Sequence, residues 1–70
     1  MKLSEIMPED VLTVFDKPNR KIRERQGKYV SGTADFLTIQ FQYYKDSLSL
    51  SDIILGKATL FKDNEAVTLL

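Results

Sequence analysis

The residues best equipped for chemistry are concentrated in Lys17–Lys28, KPNRKIRERQGK. This segment holds six basic residues and one acid, a net of +5, in a chain whose formal charge is zero. Residues 1–16 carry −3 and residues 29–70 carry −2, so the charge is balanced overall and uneven locally. Cationic side chains on a strand and its turns can bind phosphates. Arg20, Lys21, Arg23, Arg25 and Lys28 are the candidate contacts, with Tyr29 and Tyr44 as surfaces on which bases could stack. The same residues would equally serve as a solvated edge strand whose charge blocks edge-to-edge pairing, or as a surface for an acidic protein partner.

Catalytic and metal-binding constellations are missing. The sequence contains no histidine and no cysteine. The commonest general base and metal ligand is therefore absent, along with all thiol chemistry. Gly27, Gly32 and Gly56 are isolated, and no phosphate loop is formed. The carboxylates of Glu9-Asp10, Asp16, Asp35, Asp46, Asp52, Asp63 and Glu65 are scattered, mostly over predicted turns, and Asp63-Asn64-Glu65 lacks the spacing of a calcium loop. An enzyme is not expected, nor is a cofactor or a metal.

The elements that would carry these residues read as strands. Phe36–Ile54, FLTIQFQYYKDSLSLSDII, has the alternation of a β-hairpin. With Lys45-Asp46 as the turn, Tyr43 faces Leu48, Phe41 faces Leu50 and Leu37 faces Ile54. Gln42-Ser49 and Gln40-Ser51 then fall on the other side, and Ile39 faces Asp52 as a flaw. The uncharged residues Thr38, Gln40, Gln42, Ser49 and Ser51 form a flat face, either solvated or used for docking. A second reading starts a helix at Ser51 as N-cap. Val11–Asp16 is a first strand, apolar on both sides and hence expected to be buried on two sides. Asp16-Lys17-Pro18-Asn19 is a turn. Arg20–Gln26 is expected as an edge strand or mobile loop, with a bend at Gly27 and a further strand over Lys28–Ser31, then a turn at Ser31-Gly32-Thr33. KATLFK and EAVTLL flank Asp63-Asn64 as a second hairpin, with Leu60 facing Val67 and Lys62 facing Glu65. Leu3 and Ile6, on a short helical turn before Pro8, would plug one end of the core.

The expected fold is all-β: one domain over residues 1–70, a small antiparallel meander or barrel of five to six short strands. The alternative is α+β, an antiparallel sheet with one helix starting near Ser51. A chain of this size buries only about 60% of its unfolded surface, so closure of the sheet or a homodimer would have to supply more. No apolar run has the length of a membrane span, and a cytoplasmic location is the default expectation.

The run Leu48–Asp52, L-S-L-S-D, which follows the aromatic-rich Phe41–Tyr44, resembles part of a small bacteriophage protein family that inhibits uracil-DNA glycosylase. The resemblance covers five residues. It implies a dimer of sheet-plus-helix subunits that mimics DNA, and it favours a helix from Ser51. The chain departs from that family at Ile53, where the family places a target-inserting aromatic, and in its neutral charge.

Together these features suggest a non-enzymatic binding or regulatory protein, with the economy of a phage or mobile-element accessory protein, docking on a larger protein. A nucleic-acid-binding small barrel using residues 17–28 is the alternative, and a structural subunit of an assembly a further one.

Overall fold

A computed structural model describes residues 1–69. Six antiparallel strands form one sheet: β1 Val11–Asp16, β2 Arg23–Gly32, β3 Phe36–Gln40, β4 Lys45–Ser49, β5 Ala58–Lys62 and β6 Glu65–Ala66. Their order is β4-β3-β2-β1-β5-β6. The first four strands are a meander, and β5 returns to the free side of β1. A short helix α1, Leu50–Ile54, makes this crossing and touches both β4 and β5. Strands four places apart in the sheet can share a single-turn helix only because the sheet is curled.

The curl follows from where the apolar residues fall. Leu12 and Val14 of β1, Leu37 and Ile39 of β3, Leu48 of β4 and Leu60 of β5 are all buried and form one cluster. Burying one face of β1, β3, β4 and β5 in a single cluster requires the sheet to wrap around it. Ile6, Phe41 and Val67 close the cluster from outside the strands, with Leu3, Tyr29, Leu50 and Ile53 packed against it. The 3-10 turn Leu3–Glu5 brings Leu3 and Ile6 there, as the sequence suggests.

β2 is the pivot. Its Arg23–Lys28 half pairs with β1 and its Lys28–Gly32 half with β3, and a bulge lies between Tyr29 and Ser31. At Gly27 an added Cβ would sit 2.7 Å from the Gln40 carbonyl oxygen and 2.8 Å from Phe41 Cδ1. The absent side chain is the space through which the end of β3 passes over β2.

Several expectations require correction. Arg20–Gln26 is not an edge strand: Arg20–Ile22 lie in the β1–β2 connection, and Arg23 onward belongs to an interior strand that continues through Gly27 to Gly32. The Phe36–Ile54 hairpin exists, but its pairing is offset by six residues in total: Leu37 opposes Leu48, and Ile39 opposes Asp46. The connection is Phe41–Tyr44, closed by the Phe41 amide donating to the Tyr44 carbonyl at 2.8 Å. An even offset keeps each side chain on its intended face, so Leu37, Ile39 and Leu48 are correctly inward although their partners differ. The second strand stops at Ser49, and the chain becomes helical there. Ser49 rather than Ser51 is the cap, its Oγ accepting from the Ser51 amide at 3.2 Å. Gly56, at φ 78°, ends the helix after one turn. The Asp63-Asn64 hairpin has the expected register: Lys62 opposes Glu65 and the Val67 amide donates to Leu60. Both turn residues take positive φ, as a tight hairpin of matching twist requires.

Candidate binding surfaces

Directly opposed residues share a face of the sheet. Val14 opposes Arg25 and Asp16 opposes Arg23, so both arginines point to the inner side. Arg25 is nearly enclosed, with 9% of its side chain exposed. Its guanidinium lies 4.3 Å from the centre of the Phe41 ring. It donates to Asp46 Oδ2 at 2.9 Å, to Asp16 Oδ2 at 3.2 Å and to the Tyr44 hydroxyl at 3.3 Å. Arg23 donates through Nε and Nη2 to the two Asp16 oxygens at 3.0 and 2.7 Å. Two arginines and two aspartates thus cap one end of the core. The hydrogen bond from Arg23 lowers the Asp16 pKa below its ordinary value. Burial works against the charge of Arg25, but the hydrogen bonds to Tyr44 and Asp46 prevail and raise its pKa. The enclosed guanidinium of Arg25 is not available to phosphates; Arg23 is tied to Asp16 while its side chain stays 44% exposed.

The predicted basic site is therefore dispersed. Arg23 and Arg25 are turned inward, with Tyr44 bonded to Arg25. Tyr29 is half-buried on the inner side opposite Ile39. Lys28 points outward and faces Glu9 at 3.7 Å. Arg20 and Lys21 stay exposed on the β1–β2 connection with Lys17. There Pro18–Arg20 forms a 3-10 turn in which Asn19 and Arg20 take positive φ. Lys17, Ile22 and Lys57 surround a shallow depression with Phe15 and Thr59. Lys17, Arg20, Lys21 and Lys57 form no ion pair among the described residues. Lys57 joins this group only through the β1–β5 pairing, and no local signal in the sequence announces it.

The predicted polar face is also divided. Thr38, Gln40 and Ser49 lie on the outer side of β3 and β4, where Thr38 Oγ1 and Ser47 Oγ are 3.2 Å apart. Gln42 is in the β3–β4 connection, its amide donating to the Tyr43 hydroxyl, and Ser51 is in α1.

Two surfaces escaped the residue-by-residue reading. At the end of α1, Ile54 and Leu55 are 73% and 68% exposed. Ile54 lines a largely apolar groove with Ile53, Ala58, Leu60, Val67 and Leu69, and with Thr59 and Thr68; Leu55 follows it in the chain. On the outer side of the sheet, Phe15 and Phe61 meet edge to face at 5.5 Å between ring centres. Val11 lies on the same side of β1, 47% exposed. β1 is thus apolar on both sides, as its sequence shows; the chain buries the inner side fully and the outer one only in part, with Phe15 half-buried and Val11 exposed.

Comparison with protein-family models, curated proteins and solved structures finds no match to this chain.

Proposed function

We propose that the protein is a non-enzymatic binding protein that docks on a larger protein through the aliphatic end of α1. The carrying observation is the exposure of two successive aliphatic residues, Ile54 and Leu55, the first of which lines a largely apolar groove. The core takes Leu50 and Ile53 from this helix and leaves the next two aliphatic residues in water. Burying each fully would contribute roughly 1.5–3 kcal/mol. A contiguous exposed apolar patch marks an interaction surface. The lack of histidine and cysteine in the sequence agrees with a role without catalysis.

Capture from a lysate of the source cells tests the proposal, using wild type, Ile54→Asp and Leu55→Asp. A protein retained by wild type and lost with both variants is expected, with the variants melting within a few degrees of wild type. Identical capture by all three contradicts the proposal.

A second reading, nucleic-acid binding, is favoured by the cations Lys17, Arg20, Lys21 and Lys57, which form no ion pair among the described residues. It requires retention that falls steeply with salt, with a slope of about −0.7 to −0.9 per phosphate contacted. Retention should also be lost in Arg20→Ala/Lys21→Ala.

A further inference from the structure

We infer that the outer face of β1, β2 and β5 is the interface of a symmetric dimer, its occupant a second copy of this chain. The inference rests on other residues than the α1 docking surface and stands independently of it.

The register of the strands arranges this face in three rows. Thr59, Phe15 and Glu24 form one row. Phe61, Thr13 and Gln26 form the next. Val11 and Lys28 form the third. Place a two-fold axis in the plane of the interface, along the middle row and perpendicular to the strands. It lays β1 on β1 and β2 on β2 in opposite directions. Phe15 then covers Val11 of the second copy. Glu24 meets Lys28 of the second copy, and Lys28 meets its Glu24. Phe61, Thr13 and Gln26 each meet themselves at the axis, where neutral groups are required. Beyond the rows, Lys17 approaches Glu9 of the second copy. An axis parallel to the strands would instead place Glu24 over Thr59 and leave Glu24 without a cation. In the first orientation the face is self-complementary in charge, which is the condition for an isologous interface.

Other observations agree. Within one chain, the contact of Lys28 with Glu9 is long, at 3.7 Å, and exposed, so Lys28 is free to change partner. A neutral chain carries no net repulsion against its copy. A standard interface takes about 800 Å² per partner, about a sixth of the 5052 Å² that the chain exposes. The apolar outer side of β1 would then be covered, as its composition requires.

Sedimentation equilibrium on wild type, Glu24→Lys, Lys28→Glu and the double swap tests this interface. Wild type should reach dimer mass as concentration rises. Each single swap sets like charges face to face twice per dimer and should weaken association about tenfold or more. The double swap should restore it. Gln26→Arg, which opposes two cations at the axis, should also dissociate the dimer and guards against a swap that fails to fold. Wild type that is monomeric at all concentrations overturns the inference. So does a dimer indifferent to the single swaps and to Gln26→Arg, or a double swap as weak as the singles. None of these results bears on capture through Ile54 and Leu55, so the two readings fail separately.

Discussion

The two sides of β2 carry charges of similar kind with opposite fates. Arg23 and Arg25 point inward and end on Asp16 and Asp46, with Arg25 stacked on Phe41. Glu24, Gln26 and Lys28 point outward; the ion pair there among the described residues is the long Lys28–Glu9 contact. The inner charges are spent on holding the β3–β4 connection over the end of the core. The outer charges remain available for recognition. What separates them is not residue type but what β1 and the β3–β4 connection place opposite each one.

This contrast can be tested by substitutions along the one strand. The largest effect is expected at Gly27, on the inner side. Gly27→Val would drive a side chain into the Gln40 carbonyl, Ile39 and Phe41, and backbone cannot yield as a side-chain tip can. A loss of about 3 kcal/mol in urea unfolding is expected. Arg25→Ala should come next, at about 2 kcal/mol. It removes the stacking on Phe41 and takes a partner from both Asp16 and Asp46; Asp16 keeps Arg23, and Asp46 is partly solvated, which limits the loss.

Acid should act on this cluster and on Asp10, which precedes β1 at its other end and accepts from the Met7 amide and Lys62. Asp16 has a native pKa below its ordinary 3.8, chiefly through Arg23, and Asp10 likewise, chiefly through the Met7 amide and then Lys62. A carboxyl lowered in the native state contributes its full stability above the unfolded value and loses it as pH falls through the native value. The urea midpoint should therefore hold steady from neutral pH to about pH 5 and fall below about pH 4. Asp16→Asn should flatten part of that fall. The smallest effect belongs to the outer side: Glu24→Ala should change monomer stability by no more than about 0.5 kcal/mol.

Much of the local framework could be read from the sequence. β1 shows its limits because Asp16-Lys17-Pro18 stops an apolar run. The β5–β6 hairpin shows its register because Asp63 and Asn64 both tolerate positive φ. The inward turn of Arg23 and Arg25 could not be read, since their partners lie at positions 16, 41, 44 and 46 and meet them only in the fold. Without those partners, alternating basic residues look like a solvated edge. The β3–β4 pairing was misjudged for a related reason. Alternation fixes which side a residue faces but permits any even offset, and Asp46 is placed opposite Ile39 by its bond to Arg25 rather than by local preference. The outer rows emerge only after β2 is placed beside β1, which is why Glu24 and Lys28 attract no notice as a pair in the sequence.

Urea unfolding followed as a function of protein concentration tests the division between the two faces most directly. Binding restricted to the native state makes the midpoint rise with concentration. Wild type should show that rise. Lys28→Glu should abolish it while matching the wild-type midpoint at the lowest concentration. Arg25→Ala should lower the midpoint at every concentration and keep the rise. A wild-type midpoint independent of concentration, or an Arg25→Ala midpoint equal to that of wild type, would contradict the assignment of fold to one side of β2 and recognition to the other.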